Sequence, residues 1–160
     1  MIKGKRVLIV EDELDVIDVL IELLDVCKID AASSFGEGKK LLEENDYDIA
    51  ILDIMGVRGF DLLALANARK IPAMMLTAHG LSEGNLQRSV REGAVYYAPK
   101  EEMKKIATFM ADVLVSIAKN KSPWERLLDR LGGFYDRRFG GTDWRKKELE
   151  FVIKKGGRYM

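Results

Sequence analysis

The sequence predicts an α/β fold in which a five-stranded parallel sheet is doubly wound, with helices on both faces. Two observations favour this fold. Short apolar runs of strand length alternate five times with segments of helical periodicity, and side chains with reactive groups follow those runs directly. In such a sheet, ligands bind at the carboxyl ends of the strands. A functional site is therefore expected at that edge.

The five predicted strands are short and mostly apolar, as expected for strands that are covered on both faces. They are expected at residues 6–10, 29–32, 48–54, 72–76 and 95–98. The segments between and after them place apolar residues at helical spacing. Helices are expected at residues 14–26, 35–45, 59–69, 82–92 and 101–119.

The chain of 160 residues has room for one domain and a short addition. We expect a domain at residues 1–119 and a linker with a short helical segment at residues 120–160, called the C-terminal extension below. The formal net charge is zero, which gives no overall attraction to nucleic acid or to a membrane surface. Neither is expected as a partner. The charge is uneven, however: residues 123–160 hold 10 Lys and Arg against 6 Asp and Glu.

A cytoplasmic protein is expected from the N-terminus and the cysteine content. The single cysteine, Cys27, excludes an internal disulfide and fits a reducing compartment. The first apolar run, residues 7–10, is followed directly by Glu11 and is too short for a signal peptide.

Ionisable and hydroxyl side chains stand at four strand ends. Glu11 and Asp12 follow the first strand, Asp53 ends the third, and Thr77 and Lys100 follow the fourth and fifth. Three carboxylates at one edge repel one another and raise each other's pKa unless a cation lies among them. Oxygen ligands without a nearby Cys or His favour Mg²⁺ over Zn²⁺.

These residue types suit phosphoryl transfer. A carboxylate can act as a nucleophile towards phosphorus. The transferred group then needs mainly positioning and neutralisation of its equatorial oxygens. The Lys100 ammonium and the Thr77 hydroxyl are candidates for two of those contacts, beside Mg²⁺.

Four segments together resemble response-regulator receiver domains in order, spacing and content, from about residue 4 to residue 119. They are residues 7–13 (VLIVEDE), 48–55 (DIAILDIM), 74–80 (MMLTAHG) and 93–100 (GAVYYAPK). The resemblance implies the flavodoxin-like strand order 2-1-3-4-5. It also implies a sensor histidine kinase or a phosphotransfer protein as the partner that supplies the phosphoryl group.

The resemblance assigns the metal ligands. Asp53 resembles the phosphoacceptor, which also binds the metal. Asp12 resembles the direct metal ligand, and Glu11 the residue that holds metal-bound water. Met55 resembles the position whose backbone carbonyl binds the metal.

Three further positions carry over from the family. Thr77 and Lys100 resemble the hydroxyl and the amine that contact the phosphoryl group. Tyr97 resembles the aromatic switch that turns inward when the hydroxyl moves towards the phosphate. Taken singly, Glu11 and Asp12 would also suit the start of a helix, Thr77 a turn and Lys100 the solvated surface.

Two departures from the family pattern concern loops at this site. Gly59 stands six residues after Asp53, where the family commonly has a glycine at eight, so this loop is about two residues shorter. Pro99 precedes Lys100, where receivers commonly have a proline after the lysine. The bond before Pro99 is expected to be trans.

Two residues are candidates for control of phosphoryl lifetime. We hypothesise that His79 and Met55, which flank the phosphoryl group, set how easily water attacks it. The alternative interpretation of His79 is an exposed loop residue without such a role.

The C-terminal extension shows no recognisable DNA-binding or enzymatic output domain. Helices are expected at residues 123–131, ended by Gly132-Gly133, and from residue 142 or 143 to 155, ended by Gly156-Gly157. Seven of the thirteen aromatic residues lie here, too many to remain in water. We expect packing on the chain's own receiver, a second copy or a partner, with nucleic-acid binding as a further alternative. These aromatic residues are Trp124, Phe134, Tyr135, Phe139, Trp144, Phe151 and Tyr159.

Three function classes compete. The first is a stand-alone receiver, which is not an enzyme beyond its own phosphorylation and dephosphorylation, and which could form a homodimer through the last receiver helix or the extension. The second is a non-phosphorylated scaffold that acts through protein contacts. The third is a phosphohydrolase with Asp53 as nucleophile, which lacks a second aspartate two residues on because Met55 stands there.

Overall fold

A computed structural model describes residues 2–79, 81–146 and 148–154. Its core is a five-stranded parallel sheet in the order β2-β1-β3-β4-β5, with helices on both faces. The predicted fold class and strand order are confirmed. The strands are β1 (Arg6–Val10), β2 (Lys28–Ala32), β3 (Ile49–Asp53), β4 (Ala73–Thr77) and β5 (Tyr96–Pro99).

Seven α-helices are described. Serines cap three of them by accepting a backbone N–H bond through the side chain, as expected for this residue at a helix start. The helices are α1 (Leu14–Leu23), α2 (Phe35–Glu44), α3 (Gly59–Ala68), α4 (Glu83–Arg91), α5 (Ile106–Ala118), α6 (Pro123–Arg138) and α7 (Glu148–Lys154). The predicted last receiver helix is in fact a 3₁₀ segment, Lys100–Lys105, followed by α5. None of the described helices is long and apolar enough to cross a membrane.

The core lies on both faces of the sheet. Every residue of β3 and β4 is buried, which explains their near-continuous apolar sequences. The edge strand β2 is mostly accessible, and it includes the charged residues Lys28 and Asp30. At the opposite edge, however, β5 is fully buried.

The C-terminal extension covers β5. Helix α6 packs against β5 and α5, and α7 packs against α4. Arg130 of α6 is paired with Asp112 of α5 at 2.8 Å, so part of the extension's positive charge is compensated by an acidic residue of the preceding domain. The Gln87 side chain of α4 donates a 2.6 Å hydrogen bond to the Trp144 carbonyl. Packing on residues 1–119 of the same chain is therefore the observed arrangement.

The predicted end of the first extension helix at Gly132-Gly133 is wrong, because α6 continues to Arg138. Gly132 is buried, and a Cβ built there would lie 2.8 Å from Arg145 Nη2. The close approach of the Arg145 side chain therefore explains this glycine better than a helix end does. The second predicted helix is broken into a 3₁₀ segment, Asp143–Lys146, and α7. The predicted stop at Gly156-Gly157, the Phe151 side chain and Tyr159 lie outside the described residues.

Candidate functional site

The register of the sheet brings the predicted site residues to one edge. Val10 of β1 pairs with Leu52 of β3, so the next residues, Glu11 and Asp53, lie level with each other. Across the other side of β3, Asp53 pairs with Leu76, which directly precedes Thr77. Thr77 in turn pairs with Pro99, the residue before Lys100. Alignment of parallel strands therefore assembles residues that are far apart in sequence.

Lys100 lies among three carboxylates. Its Nζ is 2.6 Å from Glu11 Oε1, 2.9 Å from Glu13 Oε1 and 3.5 Å from Asp53 Oδ1. The side chains of Glu11, Asp53 and Lys100 are each at most 10% exposed, so these charges interact with little screening by water. Pro99, placed before Lys100, does not prevent the lysine from reaching Asp53. The bond before Pro99 is trans, as expected.

Burial dominates the electrostatics of this group. It raises the pKa of Asp53 to about 7, and the negative charge of Glu11 adds to the effect while Lys100 opposes it. Burial also raises the pKa of Glu11, against the lowering effect of Lys100. For Lys100, burial lowers the pKa, but the contacts with Glu11 and Glu13 outweigh it and the pKa is raised. The pKa increase expected from mutual repulsion is thus present at Asp53, with burial as its main cause.

The acidic cluster contains a residue that the sequence analysis missed. Carboxylate oxygens of Glu11, Asp12 and Glu13 lie within 4.8 Å of one another. The Glu13 backbone N–H also donates to Glu11 Oε2 at 3.0 Å. Its position directly after the acidic pair was the available signal, but its contact with Lys100 spans 87 residues of sequence. The site is therefore more acidic than predicted, and its oxygen donors suit a hard divalent cation.

The loop after Asp53 is closed by glycines. Gly56 has φ +87°, and a Cβ there would lie 2.4 Å from Asp12 Oδ2, so the loop backbone runs directly against the Asp12 carboxylate. At Gly59, a Cβ would lie 2.1 Å from the Asp53 carbonyl oxygen. Arg58 between them is left-handed, with φ 56°. These conformations accommodate the short loop and let α3 begin close behind Asp53.

Tyr97 and Thr77 are both fully buried. The Ser82 backbone N–H, at the start of α4, donates to the Tyr97 hydroxyl at 3.0 Å, and that hydroxyl donates to the Ser82 carbonyl at 3.3 Å. Burial raises the pKa of Tyr97 to about 12, so its phenol is neutral at physiological pH. The predicted switch residue thus connects β5 to the N-terminus of α4.

The two residues proposed to control water attack are accessible. Met55 is 52% exposed, and His79 is also exposed. Their effect on hydrolysis stays a prediction.

Comparison with known proteins gives one family. The model of the response regulator receiver domain matches residues 7–110. A CheY-like receiver domain protein from Methanospirillum hungatei JF-1 has a similar structure, with TM-score 0.66 and 24% identity over 73% of this chain and 98% of that one. A receiver domain protein from Clostridium thermocellum gives TM-score 0.63 and 24% identity over 72% and 97%.

A third similar structure is a response regulator from Burkholderia pseudomallei with a phosphorylated aspartic acid, a calcium ion and citrate. It gives TM-score 0.56 and 21% identity over 61% of this chain and 60% of that one. No curated protein matches the chain.

Proposed function

Because the chain belongs to the response regulator receiver domain family, we propose that it accepts a phosphoryl group on Asp53 in two-component signalling. The donor is a sensor histidine kinase or a phosphotransfer protein. The observation that carries this proposal is the Lys100 ammonium, which lies 3.5 Å from Asp53 and 2.6 Å from Glu11 in a buried setting. A lysine at that place can neutralise charge on a phosphoryl group bonded to Asp53.

The reaction is an in-line displacement at phosphorus. A carboxylate oxygen of Asp53 forms the new bond to phosphorus, and the bond from phosphorus to the imidazole nitrogen of the donor breaks, with its electron pair returning to that nitrogen. The Lys100 ammonium moves from the Glu13 carboxylate towards a phosphoryl oxygen and donates a hydrogen bond to it. The hydroxyl of Thr77, at the end of the neighbouring strand, donates a hydrogen bond to another phosphoryl oxygen.

Mg²⁺ is the cofactor we propose. Glu11, Asp12, Asp53 and the Met55 backbone carbonyl would hold it, Glu11 through a water molecule. When bound, the ion supplies positive charge that offsets the carboxylates and the phosphoryl oxygens. The buried Glu11 and the raised pKa of Asp53 support this proposal, because both indicate carboxylates that lack sufficient compensating charge. The Burkholderia structure, with its phosphorylated aspartic acid and calcium ion, gives further support.

The receiver, residues 1–119, acts as a cytoplasmic signalling module without catalysis beyond its own phosphorylation and dephosphorylation. The extension, residues 120–160, carries no DNA-binding or enzymatic output in this proposal, and neither nucleic acid nor membrane is a partner. A homodimer through α5 or the extension stays a prediction. Its surface would differ from the apolar face of α6, which is already buried against the receiver.

The test is to incubate the full chain with acetyl phosphate and Mg²⁺ and to measure its intact mass. We expect an increase of one phosphoryl group, lost in Asp53→Asn and retained in Asp25→Asn, which changes an exposed aspartate. Chelation of Mg²⁺ should also abolish it. No adduct under any condition would contradict the proposal and favour the scaffold. Sustained turnover of added phosphoesters would instead favour a phosphohydrolase.

A further inference from the structure

Helix α1 presents most of the large apolar side chains that the described part of the chain leaves in water. Five such residues are at least 40% exposed, and four of them lie on α1 or in the turn that follows it. They are Leu14, Val19, Ile21 and Val26. Exposed apolar residues that cluster on one element, rather than lying scattered over the surface, mark an interaction site.

The charged residues around these apolar side chains are all acidic. Asp15, Asp18 and Glu22 are exposed on α1, and none of them forms an ion pair with another described residue. Residues three and four apart lie on the same side of a helix, so these three acids and Val19 form one exposed strip. This acidic strip of α1 therefore suits a partner surface that is both apolar and basic.

A groove of that character lies on the neighbouring helix α5, which contacts α1. Leu114, Val115 and Ala118 give the groove its apolar lining, and its volume is about 390 Å³. Lys5 and Lys119 also line it. Neither lysine forms an ion pair within the part of the chain that the structure describes. The groove thus carries positive charge that no described acid compensates.

The acidic strip and the groove belong to one continuous face. The Gly4 backbone N–H donates a 2.8 Å hydrogen bond to the Val26 carbonyl, which places the turn after α1 beside Lys5. Lys5 in turn borders the groove on α5. A face that carries acidic and basic surfaces side by side can be complementary to a copy of itself about a two-fold axis. Such self-complementarity is the requirement for a closed symmetric dimer.

One edge of the sheet is already closed by the chain itself. The extension covers β5, where the Tyr135 hydroxyl donates a 2.7 Å hydrogen bond to the Tyr97 carbonyl. Trp144 packs edge-on against Tyr135 and is buried in the same contact. The backbone groups that an edge strand would otherwise offer to another chain are therefore shielded there. A second copy has to use a different surface.

We infer that the groove on α5 binds α1 of a second copy of this chain, and that the same contact is repeated about a two-fold axis. The acidic strip of each copy then faces Lys5 and Lys119 of the other, and Val19 is buried against the apolar lining of the groove. A contact between helices of 10 and 13 residues is small. The dimer is accordingly of the weak, transient class, with a dissociation constant on the order of tens of micromolar. The inference goes beyond the proposed function and does not depend on phosphoryl transfer.

Sedimentation velocity of the full chain, without Mg²⁺ or acetyl phosphate, measures this association from roughly 5 to 500 μM, a range that brackets such a dissociation constant. We expect a dimer whose fraction rises with protein concentration. It should weaken at least roughly threefold when the salt concentration is raised from about 0.05 to 0.5 M, because exposed charges are screened. A chain that remains monomeric throughout would overturn the inference and would leave the acidic strip to a partner of different sequence.

Charge reversal identifies the face that is used. The variant Lys5→Glu/Lys119→Glu carries acids on both sides of the contact, and the variant Asp18→Lys/Glu22→Lys carries bases on both sides. Each alone should associate at least roughly tenfold more weakly than the wild type. An equimolar mixture of the two should form a heterodimer, because every contact between them again joins opposite charges. Recovery in the mixture also shows that both variants are folded.

The matched control reverses two exposed charges on α2, which packs against α3 instead. Lys39→Glu/Lys40→Glu should dimerise like the wild type. Dimers that persist in either reversed variant of the proposed face, or a mixture of the two that stays monomeric, would overturn the inference.

The dimer and the phosphorylation site fail separately. An acetyl phosphate adduct on Asp53 in a strictly monomeric chain would support the proposed function and remove the dimer. Salt-sensitive dimers with the expected response to charge reversal, in a chain that gives no adduct, would support the dimer and remove the proposed function.

Discussion

The Lys100 ammonium lies 3.5 Å from Asp53 Oδ1, across the carboxyl edge of the sheet. Its contacts with Glu11 and Asp53 make it the cation on which two buried carboxylates depend. Removal of one partner from a buried charged group leaves an uncompensated charge, which is more destabilising than the loss of a surface pair.

Lys100→Met should therefore destabilise the protein by about 3 to 5 kcal/mol at pH 8 without Mg²⁺. The loss should be smaller at pH 5, where protonation of the carboxyls removes the unpaired charge. Urea unfolding at both pH values measures this. The control is Lys105→Met, because Lys105 pairs with Glu102 at 3.4 Å with a 58% exposed side chain. That variant should change the free energy of unfolding by less than about 1 kcal/mol; equal losses would contradict the role given to Lys100.

Asp53→Asn should stabilise the protein at pH 8 and have little effect near pH 4. The pKa of Asp53 is raised from 3.8 to about 7 by burial, so between these values the folded chain binds more protons than the unfolded chain. The free energy of unfolding of the wild type consequently falls as pH rises across this window. The full effect is on the order of 4 kcal/mol, and Asn, which does not ionise, avoids it.

Thermal unfolding of the two proteins at pH 4, 6 and 8 in a chelating buffer checks this expectation. Asp25→Asn, at an exposed position, should follow the wild type. A stability difference between Asp53→Asn and wild type that stays constant with pH would show that the Asp53 carboxyl is not perturbed in the folded protein.

Gly56→Ala should lower the affinity for Mg²⁺, and this loss of binding free energy should exceed the loss in the free energy of unfolding. A methyl group at this residue would lie 2.4 Å from Asp12 Oδ2, so the carboxylate has to move. The left-handed φ of +87° adds backbone strain of about 1 kcal/mol. We expect at least a roughly tenfold loss of Mg²⁺ affinity in a calorimetric titration, the size of effect seen when a metal ligand's surroundings are disturbed. Gly36→Ala, in α2 with open space around the position, should bind Mg²⁺ normally.

Tyr96→Phe should stabilise the protein by about 1 kcal/mol, because the Tyr96 hydroxyl is buried without a hydrogen-bond partner among the described residues. The ring, which stacks on Phe109 at 5.3 Å, is kept. Denaturant unfolding measures the gain. Tyr47→Phe loses a real hydrogen bond and should be destabilised; a loss of stability in Tyr96→Phe as well would show that its hydroxyl is satisfied in solution.

Much of the fold and of the site was predictable because the signals are local. Buried parallel strands require apolar runs, and the residues directly after those runs necessarily meet at one edge. Glu11, Asp53 and Lys100 could be placed together on that basis. Glu13 could not, since it lies three residues beyond the end of β1 and nothing in the acidic run distinguishes a side chain that turns towards Lys100.

The errors came from tertiary packing that overrides a local signal. Gly132-Gly133 is typical of a helix end, yet α6 continues because Gly132 fits beneath Arg145 and the following Tyr135 reaches β5. Gly56 likewise serves a close approach to Asp12, which no sequence pattern reveals. That the extension covers an edge strand of its own receiver, rather than a second copy, also depends on contacts that only the folded chain displays.

Peptide mapping of the chain after brief treatment with acetyl phosphate and Mg²⁺ tests the central claim most directly. Tandem mass spectrometry of the peptide that contains residues 48–58 should locate the phosphoryl group on Asp53, with none on Glu11, Asp12 or Glu13. A phosphoryl group on one of those three carboxylates, or an unmodified Asp53 in a folded, Mg²⁺-bound protein, would contradict the account.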